Sequence, residues 1–375
     1  MKDVCLVLEG TYPRTVGGVS RWVQDLTEGL PDVRFAVARL THEGDPGGPM
    51  RYERPANVEV VELALDPDAP ERAGGVLPEA GIYHALSTGF AGAVAARTAD
   101  AHSAPLVVTE HGLAWREAAL PFVTGSHHYD WPRPTPDARA KWIALHARLA
   151  REAYLAAAAV TTVCAENLVL QRTLGARGPR AIANAAALHS GRRPDGVLRV
   201  GLIGRVTPVK DVATFVRACA LVAAELPQAE YVVVGPTEQD PGYAERCAAL
   251  AGRLGLGERL VFTGEADTGA WLERLDVVAL TSVSEAQPLA LLEAMGAGIP
   301  VVATDVGGCR SLVRGAGLVV PPASPRATAE ALLRLLGDPV LRARLGAAGR
   351  ARVAARHRPE ALASAYRRIY EEAAA

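Results

Sequence analysis

Residues 277–293 read VVALTSVSEAQPLALLE, a short apolar strand that runs through a polar loop into a helix. The uninterrupted apolar run at 277–280 is typical of a parallel strand covered on both faces. Pro288 suits the first turn of a helix, because its fixed φ is helical and its missing N–H would have no intrahelical partner there. The stretch therefore predicts a strand–loop–helix unit of an α/β fold.

The same alternation of strand and helix extends along the whole chain. Helices begin near Gly17-Gly18, at Thr135-Pro136, near Thr214 and near Tyr243, between apolar runs typical of strands. Such alternation predicts parallel sheets with helices on both faces, so we expect the α/β class with Rossmann-like doubly wound domains. Strands are predicted at 4–8, 34–40, 58–63, 105–109, 160–163, 198–203, 231–234, 260–263, 277–280 and 300–304.

The domain boundary is predicted in the stretch HSGRRPDG, residues 189–196, which is polar and rich in turn-forming residues. A length of 375 residues accommodates two or three domains. We predict an N-terminal domain at 1–188 and a C-terminal domain at 196–355, each with its own strand–helix series. The Arg-rich tail 326–375 is predicted to be helical, with a packed apolar stripe under a solvated outer face.

The charge balance excludes some classes of partner. Lys and Arg number 40 against 41 for Asp and Glu, a formal net charge of -1, which argues against nucleic-acid binding. With 49% hydrophobic and 22% charged residues, the composition is that of a globular protein. A weak peripheral membrane association of segments 139–151 or 326–375 is the less favoured interpretation of their basic helices.

The cysteines and apolar runs bear on the compartment. The five cysteines are scattered without a CxxC pair, which argues against a disulfide framework and against a zinc knuckle. The apolar run after Met1 is too short for a signal peptide, and the run 155–165 is too short to cross a bilayer. We therefore expect a reduced, cytoplasmic setting.

Glu285 and Glu293 are the first candidate site residues. Glu285 precedes the predicted helix, and the N-terminus of that helix presents backbone N–H groups able to bind an anion or sugar hydroxyls. Glu293 lies more than a turn further in, among Leu291, Leu292 and Ala294, where an unpaired carboxylate would be costly. The spacing suits two ends of one elongated ligand better than a shared metal. The alternative is a solvated helix whose dipole Glu285 merely favours.

Arg205 and Lys210 are the second candidates, because they follow the first strand of the C-terminal half. In a doubly wound sheet, ligands bind beyond the carboxyl ends of the strands, so both cations are placed to hold a phosphate. The alternative is two ordinary surface cations.

Two weaker signals lie in the N-terminal half. Gly17-Gly18 would allow a positive φ and close approach of the backbone to a diphosphate, although adjacent glycines more often form a plain loop and no GxGxxG is present. His111 lies at a strand end among polar neighbours, although a lone histidine is more often structural. No GxSxG nucleophile is visible, and His127-His128 is assigned to a surface loop without a metal.

Together these residues resemble a known family. Glu285 to Glu293 matches the E-x7-E motif of retaining glycosyltransferases, and Arg205 to Lys210 matches their R-x4-K pair. With Gly17-Gly18 and His111, they resemble glycosyltransferase family four, which has the GT-B fold. EGTYPRTVGGVSRWV (9–23), TEHGLAWRE (109–117), GPTEQDPGYAERC (235–247) and the segments 204–218 and 280–310 resemble the Pel-polysaccharide branch of that family.

The resemblance implies two Rossmann-like domains that face a central cleft, with the C-terminal helix 356–375 crossing back onto the N-terminal, acceptor-side domain. The C-terminal domain would hold the nucleotide-sugar donor. The residues carried over as catalytic are His111, Arg205, Lys210 and Glu285. Those implied for donor binding are Gly17, Gly18, Thr237, Gln287, Pro288, Leu289 and Glu293, and those on the acceptor side are Tyr12, Glu110 and Arg116.

The implied function is a retaining hexosyltransferase that moves a hexose from UDP-glucose or a related UDP-sugar to a hydroxyl acceptor in polysaccharide or glycoconjugate biosynthesis. The acceptor would be a saccharide, a lipid or a small metabolite, with no cofactor and no essential metal. Ala286 stands where many relatives carry Gly, and residues 182–186 depart from the family pattern. The alternatives are a UDP-sugar 2-epimerase of the same fold and a non-catalytic sugar-nucleotide-binding subunit of a polysaccharide-secretion complex.

Overall fold

The computed structural model describes residues 2–42, 47–66, 75–120, 135–190 and 195–375. The chain divides into two compact units, each built on its own parallel sheet. The first unit comprises Met1–Asn184 with Pro359–Ala375, and the second comprises Ala185–Arg358. The acceptor-side and donor roles that the resemblance gives to the two halves stay predictions.

The sheet of the first unit has seven parallel strands within the described residues, in the order β3-β2-β1-β4-β5-β6-β7. At its centre, Cys5 lies beside Ala36 of one neighbouring strand and Tyr83 of the other. The strand order reverses between β1 and β4, and such switch points are where doubly wound sheets bind ligands. The strands are β1 (Lys2–Glu9), β2 (Phe35–Thr41), β3 (Val58–Ala64), β4 (Ala80–Ala85), β5 (Leu106–Glu110), β6 (Ala159–Thr162) and β7 (Arg180–Ala181).

Helices cover the first sheet. They are α1 (Gly18–Gly29), α2 (Phe90–Ala101), α3 (Ala114–Glu117), α4 (Pro136–Ala156), α5 (Asn167–Thr173) and, from the end of the chain, α13 (Pro359–Ala374). Thr135 accepts a hydrogen bond from the Ala138 N–H, which caps α4 as its sequence predicts. Helix α13 packs closely on α1, because a Cβ at Gly29 would lie 2.6 Å from the Cβ of Ala363.

The sheet of the second unit has six parallel strands within the described residues, in the order β10-β9-β8-β11-β12-β13. Numbered within the unit, this is 3-2-1-4-5-6, the Rossmann order, with its switch point between β8 and β11. The strands are β8 (Arg199–Ile203), β9 (Glu230–Val234), β10 (Leu260–Phe262), β11 (Val277–Leu280), β12 (Val301–Thr304) and β13 (Gly317–Val320).

The helices of the second unit begin at side-chain caps in several places. Four aspartates accept backbone N–H bonds at helix starts: Asp211, Asp240, Asp267 and Asp338. The helices are α6 (Val212–Glu225), α7 (Pro241–Arg253), α8 (Thr268–Leu272), α9 (Leu289–Gly296), α10 (Cys309–Val313), α11 (Pro325–Gly337) and α12 (Pro339–Arg356), with 3-10 turns at Pro208–Lys210 and Gly257–Arg259.

The apolar runs of the second sheet are continuous because both faces of the sheet are buried. On β8, Val200 and Leu202 belong to the core cluster on one face, and Ile203 belongs to the cluster on the other. Helices α6 and α11 pack on the first face, whereas α9 packs on the second. This arrangement accounts for the unbroken apolar runs that the sequence shows at 231–234 and 277–280.

The predicted strands are present, with shifts of one or two residues at their ends. The sequence interpretation missed the strands β4, β7 and β13 and the helices α2, α3, α5, α8 and α10. It also placed Pro288 in the first turn of a helix, whereas Pro288 is the residue before α9, with an extended ψ of 124°. Of the predicted boundary 189–196, residues 191–194 lie outside the described part of the chain.

The Arg-rich tail is helical, as predicted, and forms the three helices α11, α12 and α13. Their apolar residues are buried, including Leu332 and Leu335 in α11 and Tyr366 and Ile369 in α13, as the helical spacing predicts. No helix in the described ranges combines the length and the hydropathy needed to cross a bilayer. The weak peripheral association of this tail with a membrane stays a prediction.

Candidate functional site

The switch point of the second sheet is shaped by glycines. Gly204 follows β8 with a φ of 150°, and Gly235 follows β9 with a φ of 151°. A Cβ at Gly235 would lie 2.2 Å from the carbonyl oxygen of Gly204, so only glycine permits this contact. The close approach brings the loops that carry Arg205 and Thr237 together beyond the carboxyl ends of the strands.

Lys210 and Glu285 form an ion pair across this switch point. The Lys210 Nζ lies 2.5 Å from the Glu285 Oε1, and their side chains are 18% and 11% exposed. The Ser282 hydroxyl donates a second hydrogen bond, of 2.7 Å, to the same carboxylate oxygen. Ser282 is not among the residues predicted from the sequence, because a single serine after a strand has no distinctive pattern.

Hydrogen bonds to backbone carbonyl oxygens join the loop that carries Lys210 to the loop that carries Glu285. The Thr281 hydroxyl donates to the carbonyl oxygens of Lys210 and Asp211, at 3.0 Å each. The Val283 N–H donates to the carbonyl oxygen of Val209 at 2.9 Å. Because Lys210 and Glu285 sit on loops that are bonded to each other, their charges are positioned before any ligand arrives.

Arg205 is half-buried and lies against the loop after β9. Its Nη1 donates a 2.8 Å hydrogen bond to the amide oxygen of Gln239. Thr237, in the same loop, bonds to the neighbouring Glu238 through its N–H and its hydroxyl. The sequence interpretation named Arg205 and Thr237 but gave no role to Gln239, the residue that orients the guanidinium.

Helix α9 carries the other predicted donor-binding residues. Gln287 and Pro288 precede it, Leu289 is its first residue, and no side chain caps its N-terminus. Glu293 is half-buried in the second turn, between the buried Leu292 and Ala294. Gln287, Leu289 and Glu293 are thus near one end of one helix, as the sequence predicts, and their roles toward a donor stay predictions.

A glycine pair after β12 supports Glu285 from behind. Gly307 has a φ of 48°, and a Cβ there would lie 1.7 Å from the carbonyl oxygen of Glu285. The Gly308 N–H donates a 2.8 Å hydrogen bond to the carbonyl oxygen of Ala286. Gly307 and Gly308 lie inside the segment 280–310, but no role was predicted for them from the sequence. Their contact with the Glu285 loop is seen in the structure.

In the first unit, Gly17 and Gly18 lie where α1 begins. Gly17 is the residue before the helix, with an extended φ of 176°, so the expected positive φ is wrong. A Cβ at Gly17 would have no described atom within 4 Å, so the backbone there faces open space. Close approach by a ligand is therefore sterically open at Gly17, and its contact with a donor stays a prediction.

His111 follows β5 and packs edge-on against Trp22, with ring centroids 4.9 Å apart at 79°. Its Nε2 is buried and has no hydrogen-bond partner among the described residues. Burial lowers the pKa of His111 to about 4, so the imidazole is neutral near pH 7. A neutral imidazole can donate and accept one hydrogen bond, which suits sugar hydroxyls better than a diphosphate.

The predicted acceptor-side residues are not alike. Tyr12 is buried, and its hydroxyl donates to Gln24 at 2.9 Å. Glu110 is also fully buried, and its Oε1 accepts bonds from Thr88 and Tyr154. Both side chains are thus hydrogen-bonded within the first unit, and their role toward an acceptor stays a prediction. Arg116 is exposed on α3, and its acceptor role stays a prediction.

The buried Glu110 carboxyl has an unusual environment. Burial is the main cause that raises the pKa of Glu110 to about 7, against the opposing bonds from Thr88 and Tyr154. Its Oε2 has no hydrogen-bond partner among the described residues. No group of three or more His, Cys, Asp or Glu in those ranges is arranged to hold a metal ion. His127-His128 lies outside them.

Two doubly wound parallel sheets define the GT-B fold. Sucrose-phosphate synthase from Thermosynechococcus elongatus matches with a TM-score of 0.78 and 22% identity, covering 99% of both chains. HepE from Anabaena, in complex with UDP and glucose, matches with a TM-score of 0.75 and 18% identity, covering 99% of this chain and 100% of that one. The predicted GT-B fold is therefore confirmed.

Two family models match separate parts of the chain. Residues 198–338, in the second unit, match the model "Glycosyl transferases group 1". Segments 2–74 and 72–178, in the first unit, match a domain of unknown function, DUF3492. The likeness to a glycosyltransferase model is thus found in the second unit.

The chain is also similar to curated D-inositol 3-phosphate glycosyltransferases. That of Streptomyces bingchenggensis is 33% identical over 199 residues, which are 50% of this chain and 43% of that protein. That of Kribbella flavida is 28% identical over 375 residues, covering 88% of this chain and 85% of that protein. The first match thus spans less than half of its relative.

Proposed function

We propose that this protein is a retaining glycosyltransferase that transfers a hexose from a UDP-sugar to a hydroxyl acceptor. The observation that carries the proposal is the Lys210–Glu285 ion pair at the switch point of the second sheet, with Arg205 on the same loop after β8 as Lys210. Two cations and a carboxylate on adjoining loops suit a ligand that has a diphosphate at one end and sugar hydroxyls at the other.

The chemistry follows from this charge arrangement. In the proposed reaction the acceptor attacks from the leaving-group face, and the departing phosphate oxygen takes the acceptor proton, so no side chain is glycosylated. Negative charge builds on the diphosphate as the glycosidic bond loosens, and Arg205 and Lys210 stabilise it. Glu285, held by Lys210 and Ser282, accepts hydroxyl bonds from the donor sugar.

The donor nucleotide is proposed to be uridine diphosphate, supported by the fold that the chain shares with HepE, whose structure holds UDP and glucose. The resemblance to the Pel branch rests on sequence motifs, and the names of the relatives point instead to a phosphorylated cyclitol acceptor. The acceptor is therefore argued from the first unit itself.

The switch point of the first sheet already holds a carboxylate. The Glu9 Oε1, at the end of β1, accepts bonds from the Ser87 hydroxyl at 3.0 Å and from the Ala91 N–H of α2 at 3.1 Å. A helix N-terminus at this position would otherwise bind an anion such as phosphate. Glu9 repels anions and accepts hydrogen bonds, so we favour an acceptor whose reacting end is an uncharged hydroxyl.

Product analysis tests this function. The protein is incubated with UDP-, GDP- or ADP-hexoses as donors. The acceptors are the pair myo-inositol and D-inositol 3-phosphate, which differ by the phosphate, and in separate reactions neutral oligosaccharides. Products are identified by mass spectrometry and NMR. We expect an α-linked product from a UDP-hexose, with the neutral acceptor preferred. Glu9→Gln should shift that preference toward the phosphorylated acceptor.

Other outcomes would favour the alternatives. Conversion of UDP-GlcNAc without any acceptor would indicate the 2-epimerase, and donor binding without transfer or donor hydrolysis would indicate a non-catalytic subunit. A β-linked product would contradict retention. A cytoplasmic location and a weak association with a membrane or a secretion complex stay predictions, which fractionation of cells would test.

A further inference from the structure

We propose that the C-terminal helix α13 positions His111 through Trp22, so that Tyr366 is a positioning residue for the reaction. This inference rests on the proposed role of His111 near the donor sugar. The Trp22 ring stands edge-on to both partners, 4.9 Å from the His111 ring and 5.0 Å from the Tyr366 ring between centroids. Trp22 therefore fills the space between a residue of α13 and the candidate catalytic imidazole.

Burial and hydrogen bonds hold Tyr366, the α13 residue that contacts Trp22, in place. Trp22 is 1% exposed and Tyr366 is fully buried, so neither ring has solvent into which to turn. The Tyr366 hydroxyl lies 3.0 Å from the Thr109 hydroxyl and 3.1 Å from the Thr161 hydroxyl. These bonds fix Tyr366 to β5 and β6, and β5 is the strand that ends immediately before His111.

A second layer of contacts braces Tyr366. The His84 ring stacks on Tyr366 at 5.6 Å and bonds through its Nδ1 to the Tyr370 hydroxyl at 2.8 Å. Its Nε2 lies 2.7 Å from the Thr109 hydroxyl. Burial lowers the pKa of His84 to about 3, so this imidazole stays neutral and the network keeps its hydrogen-bond pattern near pH 7.

His111 depends on packing for its orientation. Its buried Nε2 has no hydrogen-bond partner among the described residues, so on that side the edge contact with Trp22 is what locates the ring. A shift of about 1 Å in a reacting group costs on the order of 10²-fold in rate. Loss of the Tyr366 ring would let Trp22 move, and His111 would move with it.

Three variants separate this role from a merely structural one. Tyr366→Leu removes the ring, whereas Tyr366→Phe keeps the ring and removes only the bonds to Thr109 and Thr161. Ile369→Ala is the matched control, because it shortens another buried side chain of α13 that takes no part in the bonds and ring contacts given above. Melting temperatures identify variants that do not fold, and Trp22→Phe replaces Tyr366→Leu if the latter fails.

The measurements are kcat, donor KM and the titration of the His111 imidazole by NMR with ¹⁵N-histidine labelling. For Tyr366→Leu we expect kcat to fall about 10- to 100-fold with donor KM within about 3-fold. The His111 imidazole, silent between about pH 8 and about pH 5.5 in the wild type, should titrate toward its ordinary value of about 6.5. Ile369→Ala should resemble the wild type in both respects, and Tyr366→Phe, which keeps the ring against Trp22, should lose less activity than Tyr366→Leu.

The outcomes distinguish this inference from the proposed function. If the wild type transfers no sugar but His111 titrates only in Tyr366→Leu, the coupling stands and the function fails. If folded Tyr366→Leu keeps wild-type kcat and a silent His111, the positioning role is overturned. Equal losses in Ile369→Ala and Tyr366→Leu would also overturn it, because a general loosening of α13 rather than the Tyr366 ring would then be responsible.

Discussion

Replacing Lys210 by methionine should abolish most of the transfer activity while the protein stays folded. Methionine keeps an unbranched apolar side chain but removes the ammonium, which lies 2.5 Å from Glu285 in a pair whose side chains are 18% and 11% exposed. Loss of one preorganised charge donor typically lowers kcat by about 10²–10³-fold, or about 2.7–4 kcal/mol. We expect a loss of that size for Lys210→Met.

The same change should cost stability for a separate reason. The Glu285 carboxylate would keep its bond from Ser282 but lose the ammonium, and a buried group left partly unsatisfied costs about 1–3 kcal/mol. In the double variant Lys210→Met, Glu285→Gln, the uncompensated charge is gone, so stability should recover while turnover does not. Recovery of stability would assign the destabilisation of Lys210→Met to the uncompensated Glu285 charge, and the turnover of folded Lys210→Met then reports on the ammonium.

The assay measures initial rates of UDP release at saturating donor, beside urea unfolding of each variant. Lys141→Met is the matched control, because it removes the same charge from an exposed position on α4. Its turnover and stability should equal those of the wild type. Turnover of Lys210→Met within about 3-fold of the wild type, at saturating donor, would refute the proposed stabilisation of the diphosphate.

Three further predictions follow from the described geometry. Gly307→Ala should destabilise the second unit and weaken UDP binding, measured by calorimetry, far more than Gly315→Ala. Both glycines have a positive φ, but only the Cβ of Ala at position 307 would meet the Glu285 carbonyl oxygen, at 1.7 Å. Equal effects of the two substitutions would contradict this prediction. The folded-state pKa of Glu110 is raised to about 7, so below that pH the folded protein binds a proton that the unfolded chain has released. The free energy of unfolding of the wild type, compared with that of Glu110→Gln, should therefore fall by up to about 3 kcal/mol as pH rises from about 4.5 to about 7. A difference that does not change with pH would show that Glu110 titrates normally. Transfer should continue in EDTA, because Arg205 and Lys210 supply the positive charge, and a complete loss restored by magnesium would show that they do not suffice.

Much of the fold can be predicted from the sequence because its signals are local. A strand buried on both faces favours an unbroken apolar run, and the runs at 231–234 and 277–280 correspond to β9 and β11. The missed strand β4 (Ala80–Ala85) contains His84 and Gly81, so its apolar run is interrupted. The bonds of His84 to Thr109 and Tyr370, which make a polar residue suitable there, come from distant parts of the chain.

In the candidate site, too, some residues could be predicted from the sequence and others were found only in the structure. The motifs locate Arg205, Lys210 and Glu285 after strands, and the order of the strands then brings those loops together. Ser282 and Gln239, which orient Glu285 and Arg205, belong to no predicted set because a single serine or glutamine in a loop has no distinctive pattern. The burial of Tyr12 and Glu110 was likewise invisible in the residues around them.

By itself, the sequence determined the class of fold, the strands and helices with strong periodicity, and the residue types at the ends of the strands of the second unit. Only the tertiary structure decided which side chains meet: Lys210 with Glu285, 75 positions apart, and Tyr366 with Thr109, 257 positions apart. The reason is physical. Helix and strand patterns arise from neighbours along the chain, whereas a hydrogen bond or an ion pair depends on strand order and close backbone approach, which no local spacing encodes.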